Sequence, residues 1–186
     1  MEDKISAYHD VMSLIQAHRQ ETELAAIISY NDKTHIFNLS LTEEDAKQLI
    51  ICRNESLKKY RRVEFGVGIL DKLIFTFCDS QYIEQESYLE TLMKLQDIFY
   101  EYKNEAEEKL TDDELLTFMR EQFEDICFGD LDYLEGTCLK IFTEAIRSGY
   151  QGYIQSGGSG DYSAFDEVQR WDKDLYMSVV KELFWG

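Results

Sequence analysis

Apolar residues recur every three to four positions along most of this chain, which is the period of an amphipathic helix. The pattern is clearest after Gly68, where Leu70, Leu73, Ile74 and Phe77 follow an i, i+3, i+4, i+7 spacing. Such a spacing gives a helix one apolar face that must be covered. The pattern therefore predicts an all-α fold, a helical bundle of six or seven amphipathic helices.

Similar stripes run through the rest of the chain. They predict a short helix around Ile5–Ile15, a helix from Thr42 to near Arg62, and a helix from about Gln85 to Tyr102. Further stripes follow residue 111 and residue 130. The apolar positions are Ile5, Tyr8, Met12 and Ile15; Ala46, Leu49, Ile50 and Leu57; Leu92, Leu95 and Phe99; Leu115, Met119, Phe123 and Ile126; Leu134, Cys138, Ile141 and Phe142.

Helix start signals precede three of these stripes. Thr42 is placed to cap the amide of Asp45, and Thr111 with Glu114 forms a predicted capping box. Asp130 is placed to cap the helix that follows it. The absence of proline from all 186 residues also favours long, uninterrupted helices.

One region leaves strands open as an alternative. Asn31-Asp32 is a turn signal between the β-compatible segments Leu24–Tyr30 and Thr34–Leu39. A small β-hairpin over residues 24–39, packed on a helix, is therefore compatible with the sequence.

The composition changes abruptly after Gly149. Residues 150–160 end in SGGSG, which is typical of a flexible linker, and an amphipathic pattern resumes over residues 161–186. The sequence predicts three parts: a helical-bundle domain (1–149), a Gly/Ser linker (150–160) and a C-terminal amphipathic helix (161–186). That last helix carries the apolar and aromatic anchors Phe165, Trp171, Leu175, Phe184 and Trp185.

Charge limits the classes of partner. The chain has 37 acidic and 19 basic residues, a formal charge of −18. This surface repels nucleic acid and anionic lipid, so neither is an expected partner. The start of the chain is unlike a secretory signal, and no apolar stretch is long enough for a membrane span. We expect a cytoplasmic protein.

The densest basic cluster raises a question of anion binding. Arg61 and Arg62 precede Gly66 and Gly68, which in turn precede a helix predicted to begin near Ile69. Amides at a helix N-terminus beside arginines bind phosphates readily. Neither a P-loop nor a dinucleotide fingerprint is present, however. The sequence favours a structural turn and leaves an anion pocket at these four residues as the alternative.

Other chemistry has little support in the sequence. Cys52, Cys78, Cys127 and Cys138 form no CxxC pair, which favours reduced structural thiols over a metal site. No Glu-x-x-His pair and no nucleophile elbow occurs. The sequence therefore assigns no metal, cofactor or catalytic residue, and it leans away from an enzyme.

The central run from Arg62 to Asn104 resembles a family of bacterial proteins that is defined only as a domain of unknown function. The resemblance covers about residues 39–147 and implies a helical bacterial protein without importing an activity. It is carried by Val63–Gly66, Lys72–Ile74, Phe77–Ser80, Gln96–Tyr100 and Asp112–Leu115.

The sequence as a whole favours a protein–protein interaction module, either an adaptor or a homo-oligomer such as a dimer. The expected contact surface is the aromatic 161–186 helix, since Trp and Tyr dominate interface energies. The alternative is a small-molecule or anion-binding protein, open to being an enzyme, with its pocket near Arg61–Gly68.

Overall fold

The structure is a computed structural model, and it describes residues 2–149. These residues form helices and no strand, which confirms the all-α prediction. Two 3-10 turns (His35–Phe37 and Gln85–Ser87) and one π-helical segment (Leu134–Leu139) join them. The α-helices are α1 (Glu2–Ser29), α2 (Asn31–Thr34), α3 (Glu43–Lys59), α4 (Leu70–Phe77), α5 (Tyr88–Glu105), α6 (Asp112–Asp125), α7 (Leu131–Tyr133) and α8 (Lys140–Arg147).

The three predicted N-caps are confirmed. The Asp45 amide donates to Thr42 Oγ1 at 3.1 Å, and the Thr42 amide donates to Asp45 Oδ2 at 2.9 Å. Thr111 and Glu114 make the same reciprocal pair at the start of α6. Asp130 Oδ1 accepts the amide of Tyr133 at 3.0 Å. Each cap satisfies helix N–H groups that have no intrahelical acceptor.

The hairpin alternative for residues 24–39 is wrong. Residues 24–29 are the last two turns of α1, and α2 and a 3-10 turn follow. Asn31 donates from Nδ2 to the Leu41 carbonyl and accepts the Leu41 amide at Oδ1, both at 2.8 Å. Within the predicted hairpin the backbone groups bond to one another in helices and turns instead, as in the Thr34 amide to the Tyr30 carbonyl at 3.1 Å and the Asn38 amide to the His35 carbonyl at 2.9 Å.

The core forms around α5, which packs against α3, α4 and α6. The predicted stripes of α3, α4, α5 and α6 all contribute side chains to this core. Fully buried or nearly so are Leu49, Leu70, Leu73, Ile74, Phe77, Leu92, Leu95, Phe99, Leu115, Met119 and Phe123. α1 joins this bundle by packing on α3.

Within the described residues, a boundary between two units of the chain falls after Thr143. The predicted linker, the predicted helix over 161–186 and its residues Phe165, Trp171, Leu175, Phe184 and Trp185 lie outside the described residues. They stay predictions. Within residues 2–149, no helix combines the length and apolar character that crossing a membrane requires.

Candidate functional site at the first helix and the glycine loop

The first helix leaves most of its length uncovered. The predicted helix around Ile5–Ile15 is confirmed and is longer than expected, since α1 has 28 residues. Every residue from 5 to 22 is exposed. The exposed large apolar side chains on it are Ile5, Tyr8, Val11, Met12, Leu14 and Ile15.

The other end of α1 is fixed to the bundle by a buried ion pair. Arg53 of α3 donates from Nη2 to Glu23 Oε2 at 2.9 Å, and the two side chains are only 1% and 4% exposed. Arg19 donates to the other carboxylate oxygen of Glu23 at 3.0 Å. Ile27, one turn further along, is also buried. These contacts set the direction in which the exposed residues of α1 leave the bundle.

The same arginine holds the glycine loop, residues 60–69. Arg53 Nη1 donates to the Gly66 carbonyl at 2.6 Å. Gly66 and Gly68 have φ values of 60° and 58°, which favour glycine strongly. The predicted structural turn is therefore what these glycines make.

The carboxylate of Glu64 lies beneath this turn. Its Oε2 accepts the amide of Ile69 at 3.1 Å and the hydroxyl of Tyr100 at 2.7 Å. A Cβ on Gly68 would overlap this carboxylate, 2.9 Å from Glu64 Cδ. Burial and the Glu64 charge raise the pKa of Tyr100, so its hydroxyl keeps its proton and donates. The start of α4 thus binds an anion that belongs to the chain itself.

The two arginines of the anion hypothesis are in different settings. Arg62 donates to Asn104 Oδ1 at 2.8 Å and pairs with Glu108. Arg61 is exposed, with a φ of 55°. A pocket formed by Arg61, Arg62, Gly66 and Gly68 stays a prediction, and in this geometry the carboxylates of Glu64 and Glu108 compete for its donors.

The sequence indicates two of the residues that organise the site, Arg53 and Glu23, although neither is among the predicted site residues. Arg53 falls on the apolar stripe of α3, between Ile50 and Leu57, where a charged residue indicates a buried pair. Glu23 lies one helical turn before the apolar residue Ile27, so it too is a charged residue beside an apolar helix position. Glu64 left no comparable signal, because its role depends on the turn that places it below Gly68.

The glycine loop also exposes two apolar side chains. Val63 and Phe65 are 82% and 85% exposed. They flank Glu64, whose carbonyl accepts a hydrogen bond from Arg19 Nη2 at 3.4 Å. The exposed apolar surface of α1 therefore reaches the bundle beside a second exposed apolar patch.

The cysteines are poorly suited to nucleophilic chemistry. Cys127 and Cys138, 11 residues apart and both buried, bring their sulfurs to 3.5 Å, a pairing that their sequence spacing did not predict. The Cys138 thiol and burial raise the pKa of Cys127, and burial raises the pKa of Cys52 and Cys78. A raised pKa favours the protonated thiol at Cys52, Cys78 and Cys127, whereas the nucleophile is the thiolate.

The part of the chain that the structure describes has no cluster of three His, Cys, Asp or Glu side chains arranged to hold a metal ion. The contacts described at the base of α1 are ion pairs, hydrogen bonds and exposed apolar side chains.

Comparison with known proteins places the chain in a family. A family model described as "Family of unknown function (DUF6323)" matches residues 26–152, which agrees with the resemblance seen over about 39–147. No curated protein and no solved structure matches the chain. The match begins at residue 26, so the exposed residues 5–22 precede it. Because the family model matches more than half of the chain, this protein belongs to the family of unknown function DUF6323.

Proposed function

We propose that this protein acts by binding another protein chain and that the exposed part of α1 is its recognition element. One observation carries the proposal: within 18 consecutive exposed helical residues, the large apolar side chains of Ile5, Tyr8, Val11, Met12 and Ile15 share one face of α1, and Leu14 lies on another. Contiguous exposed apolar surface of this kind marks interaction sites in folded proteins. An amphipathic helix that presents its apolar face is one of the recurring modes of protein recognition.

The anchoring of α1 suits this role. A helix that is already formed loses less conformational entropy on binding than a segment that must fold at that moment. The Glu23–Arg53 pair and the buried Ile27 hold its carboxyl-terminal end against α3. The partner therefore meets a surface whose direction is set before contact.

Both parts of the chain are acidic. Residues 23–143 contain 26 acidic and 13 basic residues, a net charge of −13, and residues 1–22 contain four and two, a net charge of −2. Both segments repel carboxylates, so the contact face of the partner should carry few of them.

The aromatic segment over 161–186 remains a second proposed contact surface. Phe165, Trp171, Leu175, Phe184 and Trp185 are the type of side chain that anchors interfaces. Deleting residues 157–186 separates the two proposals. Loss of association on deletion assigns the contact to the tail, and unchanged association leaves it to α1.

The test compares two substitutions on the same helix. Met12→Glu places a charge on the apolar face, and Leu14→Glu places the same charge on another face of α1. Each full-length variant is expressed in its source cells, cross-linked and examined by mass spectrometry for every covalently joined chain, including a second copy of itself. We expect Met12→Glu to lose a joined chain that Leu14→Glu retains. If the two variants and the unmodified protein give the same joined chains, the proposal is wrong.

A further inference from the structure

We propose that the chain bound by α1 is a second copy of this protein, held in an antiparallel helix pair. This inference rests on the proposed function and names its partner. The contact is the α1 seam, which we define as Ile5, Tyr8, Met12 and Ile15. All four side chains are exposed in the single chain.

The spacing of the α1 seam suits pairing with the α1 helix of a second copy. The intervals of three, four and three residues are those of the a and d positions of a coiled coil. The same intervals read identically in either direction. Antiparallel pairing therefore sets Ile5 against Ile15 of the other copy and Tyr8 against Met12, so both kinds of layer are apolar.

The positions beside the seam allow two acidic chains to approach. They hold His9, Val11, Gln16 and His18, and none of these is a carboxylate. Asp10 lies on the opposite side of the helix. Flanking charges are what usually decide which helices pair, and like charges there oppose pairing. A chain of net charge −18 can meet its own copy here without facing carboxylates across the contact.

The charge of the bundle selects the orientation. In a parallel pair the two bundles, each carrying −13 over residues 23–143, would lie side by side at one end. In an antiparallel pair they lie at opposite ends of the exposed helix. Eighteen helical residues span about 27 Å, and this is roughly three times the screening length of about 8 Å at physiological salt. Most of the repulsion is then screened.

The base of the seam supplies the remaining surface. Residue 19, one turn after Ile15, is Arg19, which bonds to the Glu64 carbonyl between the exposed Val63 and Phe65. Antiparallel pairing brings the amino-terminal end of each α1 to this patch on the other copy. The apolar surface of Val63 and Phe65 is needed for a stable dimer, because the seam spans only about two heptads and coiled coils are usually sustained over three or four.

The first experiment measures the mass of the full-length protein in solution. Sedimentation equilibrium at concentrations up to about 100 µM detects micromolar dimers. We expect a mass approaching about 44 kDa, twice the chain mass of 21.9 kDa. Met12→Glu should return the mass to that of one chain, and Leu14→Glu should remain a dimer. A monomeric unmodified protein, or a dimer that Met12→Glu leaves intact, overturns the proposal.

The second experiment fixes the orientation. Val11 flanks the seam where an antiparallel pair sets it against Val11 of the other copy, whereas a parallel pair sets it against Gln16. Val11→Cys should therefore give a covalent dimer with a short bismaleimide, and Asp10→Cys should not. The unmodified protein shows the background from its own cysteines. A dimer in which Val11→Cys fails to cross-link is not antiparallel.

The two proposals fail differently. A monomer whose Met12→Glu variant loses a different joined chain overturns the second copy and leaves the interaction function standing. If Met12→Glu changes neither the mass nor any joined chain, both proposals are wrong.

Discussion

The two ends of α1 belong to one continuous helix and lie in opposite environments. From Glu23 onwards the helix packs on α3, and its one buried carboxylate is matched by Arg53. From residue 5 to residue 22 it is exposed, although Ile5, Tyr8, Met12 and Ile15 recur at helical spacing. Periodicity therefore reports which face of a helix is apolar, and it does not report whether the same chain covers that face.

The two ends of α1 should also contribute differently to the free energy of unfolding and to that of association. The buried end depends on a charge pair whose partners cannot be removed singly without leaving an uncompensated charge. The exposed end contributes little to the stability of the single chain, because its side chains remain in water after folding. The bundle end should therefore govern unfolding, and the exposed end should govern association.

The largest effect should come from breaking the buried pair. Arg53→Ala leaves the Glu23 carboxylate buried and removes the contact with the Gly66 carbonyl. We expect a loss of about 3–5 kcal/mol in the free energy of unfolding, measured in urea. Arg19→Ala is the control, since Arg19 bonds to the same carboxylate from an exposed position and should cost less than about 1 kcal/mol. Equal losses for the two variants would contradict the distinction between the two ends.

The glycine loop offers a second, smaller test at the base of α1. Gly66 and Gly68 have nearly equal positive φ values, but a Cβ at Gly66 meets nothing within 4 Å, whereas one at Gly68 meets the Glu64 carboxylate. Gly66→Ala should cost about 1 kcal/mol, the ordinary cost of this conformation. Gly68→Ala should cost about 2 kcal/mol or more, because the clash adds to the same strain. Thermal unfolding of both variants measures the difference, and equal costs would mean that Glu64 moves freely.

The bundle should show a pH effect on stability that originates at Glu101. Burial and the neighbouring Glu135 carboxylate raise the pKa of Glu101 above its ordinary value. A raised pKa means that the charged form opposes folding, so Glu101→Gln should raise the melting temperature at pH 7. The gain should shrink as the pH falls through the raised pKa and should vanish below about 4, where the unfolded carboxyl is protonated too.

Glu90→Gln removes an exposed carboxylate from the same helix and is the control for this pH series. It should leave the melting temperature nearly unchanged between pH 4 and 7. A gain for Glu101→Gln that grows as the pH falls would show that the carboxylate is stabilised rather than opposed by its surroundings.

The smallest effect on stability should come from the exposed end. Leu14→Glu should change the free energy of unfolding by less than about 0.5 kcal/mol, since Leu14 is 71% exposed and both residues are good helix formers. Met12→Glu should instead remove the dependence of the melting temperature on protein concentration, which a dimer produces by mass action. Calorimetry at several concentrations checks both. A large destabilisation by Leu14→Glu in dilute protein would mean that this end is part of the core.

Local chemistry made part of the fold predictable. The caps at Thr42, Thr111 and Asp130 act within three residues, so the sequence alone indicates them. The stripe from Leu70 to Phe77 and the glycine turn before it were predicted for the same reason. The α1 stripe was predicted too, as a helix, but its length and its exposure were not.

The wrong and missing predictions concern contacts between residues that are far apart in the sequence. The turn signal at Asn31 is compatible with a hairpin, but in the structure the Asn31 side chain hydrogen-bonds to the backbone of Leu41, ten residues away. Glu64 is defined by Tyr100, 36 residues further along, and Cys127 faces Cys138 only because α6 and the π-helical segment meet. None of these partners is indicated by spacing along the chain.

The sequence by itself determined most of the helices, their caps and their apolar faces, because hydrogen bonds and side-chain spacing within a few residues decide them. It did not determine the helical structure of residues 24–37. Only the tertiary structure decided which apolar faces are covered and which charges are buried. It placed Arg53 between Glu23 and the glycine loop, filled the start of α4 with Glu64, and left residues 5–22 exposed. Burial is a property of the packed chain, since a side chain loses water only when residues remote in sequence come to lie against it.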